Sequence, residues 1–206
     1  MKRGVQKACE LMTSLVLVCQ VLAQSQSPTS QPGRHAVPLT NEQRDVYAAV
    51  LNQYVSGLKK FAGGATESIN LADTTVPLDL ANELNHNKDC FSGITFDNLK
   101  SARKETHKVD ATFESGRDLR LVNDAQQAAL RRAITHGMST TTVGNITLQT
   151  NLLQVSEIAF DKDHRFAAIR YTFSCGALCG KGGVVVFEKI GDAWRDANRP
   201  CAGWIS

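Results

Sequence analysis

The hydrophobic pattern of this chain changes its period once, near Leu152, and this change constrains the fold more than any other feature. From Leu152 to the C-terminus, runs rich in Val, Ile, Phe and Tyr alternate with polar residues and are separated by turn signals. Such alternation is typical of β-strands, in which successive side chains point to opposite faces. Ile169, Tyr171 and Phe173 would share one of these faces. The pattern therefore predicts an antiparallel β-meander in this part of the chain.

Two earlier segments carry the signals of helices. Thr40 and Gln43 have capping-box spacing, and apolar residues then recur at helical intervals up to a Gly-Gly pair. Asn123 and Gln126 repeat the capping spacing ahead of a second helical pattern, which ends at Gly137. With helices first and strands last, the sequence predicts an α+β fold whose N-terminal helices pack on a C-terminal antiparallel β-meander.

The N-terminal segment has the layout of a secretory signal peptide. Basic residues precede an apolar stretch over 11–23, which is short for a membrane span and ends in a small residue, Ala23. The alternatives are an uncleaved anchor and a short buried helix. Residues 24–39 are rich in Ser, Gln and Pro and predict a flexible tether. We therefore expect a signal peptide over 1–23, a tether, and a single domain over 40–206 of a protein exported to the periplasm or cell exterior.

Removal of the signal peptide would leave an even number of cysteines, Cys90, Cys175, Cys179 and Cys201. In an oxidising compartment such a set is expected to form two disulfides, although sequence alone does not select among the possible pairings. We favour Cys175–Cys179 across a short loop and Cys90–Cys201 across a long one. A zinc site is the alternative, but the spacing lacks a C-x-x-C pair and a nearby histidine.

Charge argues against several classes of partner. The formal net charge is +3, and residues 1–23 contain three basic residues and one acidic residue, so it falls to +1 without them. A chain so nearly neutral does not bind nucleic acid by bulk charge. We expect no nucleic-acid partner and no membrane span after signal cleavage. No motif indicates a cofactor or a metal site.

The loop 175–183, with sequence CGALCGKGG, invites comparison with a phosphate-binding loop. The spacing between Gly176 and Gly180 is too short, Gly182 stands where a hydroxyl is required, and the loop joins two strands instead of entering a helix. A tight turn accounts for the glycines. A catalytic thiol would need a neighbouring base, and no spacing pairs a histidine with a cysteine. The sequence therefore assigns no catalytic residue.

The C-terminal run resembles the ending of a loose family of exported bacterial proteins of unknown function. The shared features are a Cys- and Gly-rich loop over 175–183, a strand ending in Glu-Lys at 188–189, a hairpin with Trp194, and a terminal Trp-Ile-Ser at 204–206. The resemblance covers residues 160–206 well and the rest of the chain loosely. It implies an exported α+β domain and brings no known catalytic residues.

These observations favour a non-catalytic binding or envelope-associated module with an unidentified protein or small-molecule partner. Loops on a rigid sheet often carry function, so the surface around the Cys/Gly loop is the candidate site, with Lys181, Trp204 and Arg170 as binding residues. The alternative is an exported enzyme of unrecognised type that uses scattered histidines and carboxylates. A pocket holding His107 or His164 beside a carboxylate would favour that alternative. A purely structural role is a third possibility.

Overall fold

The computed structural model of the protein describes residues 37–63, 66–96 and 106–206. The predicted signal peptide and residues 24–36 of the predicted tether lie outside the described residues. The last three residues of that tether belong to the fold. Val37 and Pro38 form a short strand, and the side chain of Leu39 is buried in the main core.

The described part of the chain contains three α-helices and a curled mixed sheet. The helices are α1 (Asn41–Phe61), α2 (Leu80–His86) and α3 (Asp124–Thr135). The strands are β1 (Val37–Pro38), β2 (Ile69–Ala72), β3 (His107–Lys108), β4 (Leu119–Val122), β5 (Thr140–Val143), β6 (Ile146–Gln149), β7 (Leu152–Val155), β8 (Ala159–Phe160), β9 (Phe166–Gly176), β10 (Cys179–Ile190), β11 (Ala193–Asp196) and β12 (Gly203–Ile205). Both predicted capping boxes are present, at Thr40 with Gln43 and at Asn123 with Gln126.

The main sheet is a half-barrel with the strand order β11-β10-β9-β7-β2-β4. β12 also pairs with β10, and β8 also pairs with β9. Strands β7, β9, β10 and β11 are antiparallel neighbours, as the alternating pattern predicts. β2, however, runs parallel to both β4 and β7. The prediction of a purely antiparallel meander is therefore wrong for this half of the sheet.

Burial explains why the sequence pattern does not reveal the parallel strands. All four residues of β2 are buried, so the strand shows no alternation between core and solvent. Parallel neighbours also need long crossover connections, and here α2 lies between β2 and β4. Neither feature leaves a local period that distinguishes parallel from antiparallel pairing.

The long β9–β10 hairpin is covered on both faces. On one face α1 packs against Ile169, Phe173 and Phe187 through the largest core of the molecule. On the other face Ala168 and Val186 pack with α2 and with the segment after it. A central strand pair that is buried on both sides is a rigid support for the loops at its ends.

Both predicted cysteine pairings are confirmed as disulfide-distance pairs. The Cα atoms of Cys90 and Cys201 are 4.5 Å apart, and those of Cys175 and Cys179 are 5.0 Å apart. Both separations suit a disulfide bond. Two disulfides are consistent with an oxidising compartment. Among the described residues, no helix has the length and apolarity needed to cross a membrane.

Candidate functional site: the edge of strand β10

The predicted site residues lie on the C-terminal hairpin and on the strand that flanks it. The turn between β9 and β10 is closed by the Cys175–Cys179 pair, and Leu178 in that turn is 88% exposed. β12 pairs with β10 over residues 181–183, next to this turn. The backbones of Gly180 and Ser206 exchange hydrogen bonds of 3.2 and 2.9 Å, which extend the pairing by one residue pair.

The glycines of this segment form a flat seat for the indole ring of Trp204. A Cβ atom at Gly182 would lie 2.6 Å from Nε1 of Trp204, and one at Gly180 would lie 2.9 Å from the same ring. Neither position tolerates a side chain without displacing the indole. The glycines are thus explained by close packing of Trp204, whose surface remains 41% exposed.

The three predicted binding residues do not share one face of the sheet. Trp204 is opposite Gly182, and Arg170 is opposite Val184, so these two side chains project from the same face. Lys181 is opposite Phe173 and projects from the other face. Arg170 also approaches Glu83 of α2, with Nη1 3.7 Å from Oε1. The structure therefore groups Trp204 with Arg170 and separates Lys181 from them.

The chain that leads into β12 is fixed by three independent links. Cys201 is bonded to Cys90, and the amide of Ala202 donates a 2.8 Å hydrogen bond to Oδ1 of Asn87. Arg199 donates a 2.6 Å hydrogen bond from Nη1 to the carbonyl of Ser92. These links hold the C-terminal strand in place against the body of the domain, so its exposed side chains are pre-organised.

A cleft of about 310 Å³ lies where β10 is flanked by neither β11 nor β12. Its lining includes Tyr54, Tyr171 and Asp196. The Tyr54 hydroxyl donates a 2.9 Å hydrogen bond to Oδ2 of Asp196. Burial and then this carboxylate raise the pKa of Tyr54, and burial raises the pKa of Tyr171. Both phenols therefore remain protonated hydrogen-bond donors at neutral pH.

Sequence reasoning missed this cleft. Tyr54 belongs to the apolar stripe of α1, which indicates a core position and gives no sign of a cleft. Asp196 lies far from Tyr54 in sequence and shares no motif with it. It reaches the tyrosine only through the pairing of β11 with β10. Only the three-dimensional arrangement brings these residues together.

A second polar cluster lies at the carboxyl ends of the parallel strands β2 and β7. His107 Nδ1 is 2.7 Å from Oε2 of Glu157, and both side chains are buried. The amide of His107 donates to Oε1 of Glu157 at 2.9 Å, and the Thr75 hydroxyl donates to the same oxygen. Thr75 and Glu157 converge because they follow the parallel strands β2 and β7, whose carboxyl ends meet at one edge of the sheet. His107 reaches them from β3, where its carbonyl accepts a 3.0 Å hydrogen bond from the amide of Thr75.

This cluster is satisfied internally. The Tyr47 hydroxyl, at the edge of the cluster, donates a 2.7 Å hydrogen bond to the carbonyl of Ser156. Burial, followed by the negative charge of Glu157, raises the pKa of Tyr47 well above its ordinary value. Neither His107 nor Glu157 lines any of the three clefts beside α1. Buried polar groups that bond to one another also stabilise a fold, so the geometry by itself fits a structural role as well as a chemical one.

His164 also has a carboxylate partner, but it lies at the surface. Its Nδ1 is 2.7 Å from Oε2 of Glu42, and Lys189 Nζ is 3.1 Å from Oε1 of the same residue. Burial acts to raise the pKa of Glu42, and the hydrogen bonds from His164 and Lys189 outweigh it, so the pKa is lowered. The ring of His164 stacks on Phe160 with centroids 4.8 Å apart. This arrangement is typical of a surface contact between α1 and the hairpin.

Comparison of the chain with protein-family models, curated proteins and solved structures finds no match. Within the described ranges, no group of three His, Cys, Asp or Glu residues could hold a metal ion. Functional inference therefore depends on the geometry of the residues themselves.

Proposed function

We propose that this protein is an exported, non-catalytic binding module that pairs the free edge of β12 with an extended segment of a partner protein. The observation that carries the proposal is that β12 pairs with β10 alone among the described residues and exposes two large apolar side chains. Trp204 is 41% exposed and Ile205 is 70% exposed. Addition of a strand to such an edge is a recurrent mode of peptide recognition.

The hydrogen-bonding pattern supports this mode. Gly180 and Ser206 exchange backbone hydrogen bonds, so the alternate residue, Ile205, directs its amide and carbonyl away from β10. Trp204 and Ile205 project from opposite faces of β12, so an added strand would contact both. Short edge strands often avoid pairing, but shortness alone does not account for two exposed apolar side chains. The cleft beside Tyr54 begins at Gly203 and extends this surface.

Export is part of the proposal and has separate support. Two disulfides suit an oxidising compartment, and the N-terminal sequence has the layout of a signal peptide. The resemblance of the C-terminal run to exported bacterial proteins points in the same direction.

Site-specific photocrosslinking in the exported fraction of the native host tests the proposal. A benzophenone amino acid at Ile205 is expected to give one defined protein adduct. The matched control is the same group at Ile190, which is 54% exposed at the far end of β10. In a protein that carries the crosslinker at Leu178, the variant Ile205→Pro, which removes the outward amide, should abolish the adduct. Equal adduct patterns at positions 205 and 190 would contradict the proposal.

An exported enzyme of unrecognised type remains the second candidate, and the His107–Glu157 pair favours it. A carboxylate that holds one imidazole nitrogen leaves the other as a potential base, and Nε2 of His107 has no hydrogen-bond partner among the described residues. Such a base must be reached by substrate. Modification by diethyl pyrocarbonate at a rate near that of the exposed His136 would favour the enzyme, and an unreactive His107 would argue against it.

A further inference from the structure

A second cleft, remote in sequence from β12, lies between the C-terminal half of α1 and the turn over 116–118 that precedes β4. Its volume is about 400 Å³, which is within the range of small-molecule sites. Leu51 and Val55 form its base, and because they are only 1% and 7% exposed, a small part of each side chain faces the cleft. The cleft therefore has an apolar floor fixed by the packing of α1.

The walls of this cleft are rich in positive charge. Lys59, Lys60 and Arg117 line it, whereas Asp118 is the one carboxylate among the described residues of its lining. Asp118 is paired with Lys59, with Oδ2 2.6 Å from Nζ. Two cations are thus left without a counter-charge in the lining.

The contacts of Arg117 show that its charge is not neutralised. Its Nε donates a 2.6 Å hydrogen bond to Oδ1 of Asn52, and its Nη1 donates a 3.3 Å hydrogen bond to the carbonyl of Phe113. Both acceptors are neutral. Neither Arg117 nor Lys60 forms an ion pair with a described residue. The neutral contacts orient the guanidinium and leave its charge available to an anion.

The helix dipole of α1 explains the position of the two lysines but not that of Arg117. Lys59 and Lys60 lie in the last turn of α1, where cations complement the helix dipole. Arg117 lies on a separate turn and hydrogen-bonds to Asn52 in the middle of α1, not to the last turn of the helix. The helix dipole therefore does not explain why Arg117 and Lys60 line the same cleft.

We infer that this cleft binds a small organic oxyanion, a carboxylate or a phosphate carried on a short apolar body. Arg117 and Lys60 would contact the charged group, and the apolar part would lie over the small area that Leu51 and Val55 expose at the base of the cleft. This site is separate from the β12 edge and does not depend on the protein-binding function proposed above.

Fluorescence titration with 8-anilinonaphthalene-1-sulfonate tests the inference, because this probe joins an anion to an apolar body. The neutral control is N-phenyl-1-naphthylamine, which has the same ring system without the sulfonate. We expect saturable binding of the sulfonate probe and at least about tenfold weaker binding of the neutral one, as for the loss of one charge-assisted hydrogen bond. Equal affinities for the two probes would overturn the inference.

Charge variants locate the binding. Lys60→Gln should weaken the sulfonate probe, and Arg117→Gln should weaken it more, while Lys162→Gln, an exposed lysine outside the lining, should not. Because Arg117 contacts Phe113 and its loss can loosen the turn, Lys60→Gln is the decisive variant. Unchanged binding by Lys60→Gln would overturn the inference.

Competition identifies the class of oxyanion. Hexanoate and hexyl phosphate are tested as competitors of the sulfonate probe, with hexanol as the uncharged control. Displacement by hexanoate alone assigns a carboxylate site, and displacement by hexyl phosphate alone assigns a phosphate site. Displacement by hexanol as effective as that by either anion would overturn the inference.

Discussion

At the scale of single residues, the indole ring of Trp204 packs directly on backbone that carries no side chains. Gly180 and Gly182 present bare backbone to the indole ring, and the ring covers them while leaving its outer surface exposed. An exposed aromatic ring that is fixed in this way loses little conformational entropy on binding, which is why such residues dominate many interfaces.

The first prediction concerns this seat. In a Trp194→Phe background, Gly182→Ala should displace the Trp204 ring, shift its emission to longer wavelength and lower stability by about 1–3 kcal/mol, as overpacking does. The control is Gly57→Ala in α1, where an added Cβ meets no atom within 4 Å. That variant should stabilise the protein by about 0.5–1 kcal/mol. An unchanged spectrum and melting curve for Gly182→Ala would contradict the close packing of Trp204 on Gly182.

The second prediction concerns Glu42. Its pKa is lowered in the folded protein from an ordinary value of 4.5, because His164 and Lys189 together outweigh the effect of burial. A carboxyl whose pKa is lowered on folding stabilises the folded state above pH 4.5. This contribution is lost as the pH falls through the pKa of the folded protein. The stability difference between the parent and Glu42→Gln should therefore shrink between pH 5 and pH 3, measured by urea unfolding. A difference that is constant over this range would contradict the assignment.

At the scale of elements, local sequence signals predict the helices and the hairpin but not the pairing of the parallel strands. Both capping boxes, α1 and α3 follow from residues three or four apart, and the antiparallel β9–β10 hairpin follows from two runs rich in Val, Ile, Phe and Tyr separated by a turn signal. The pairing of β2 cannot be predicted in this way, because its four buried residues show no alternation that would indicate which strands are its neighbours. Its parallel partners, β4 and β7, follow it by long connections, so their pairing is not encoded locally.

The third prediction compares the two disulfides that join these elements. Cys90–Cys201 spans 111 residues and Cys175–Cys179 spans 4. In the chain-entropy model, loss of the long bridge should cost about 5 kcal/mol and loss of the short one about 2 kcal/mol. Denaturant unfolding of Cys90→Ser/Cys201→Ser and Cys175→Ser/Cys179→Ser double variants measures both. A larger loss for the short bridge would show that it, and not the long one, holds the domain.

At the scale of the whole molecule, near-neutral net charge conceals separated local charge. The cleft beside the turn over 116–118 carries an excess of cations. The described residues that line a broader groove on the other side of Asn52 include three carboxylates, Asp45, Asp192 and Asp196, and one cation, Arg195. Composition averages over such surfaces, so the sequence predicts neither of them.

The candidate site was predictable only in part for the same reason. The C-terminal loop, its glycines and Trp204 are adjacent in sequence or linked by one strand pairing, so they could be singled out together. The separation of Lys181 from Arg170 depends on the register of β10 against β9. The convergence of His107 with Glu157 depends on the parallel pairing of β2 with β7 and on the contact of β3 with Thr75, and the sequence reveals neither.

The central claim is that a partner protein covers β12 in the exported compartment, and oxidative footprinting tests it most directly. Met138, which is 46% exposed and also oxidisable, is an internal reference because it lies between α3 and β5, a strand that pairs with β6 and not with β12. The account predicts that Trp204 is oxidised several-fold more slowly in the native exported fraction than in the purified protein, while Met138 reacts equally in both. Equal oxidation of Trp204 in the two samples would contradict the account.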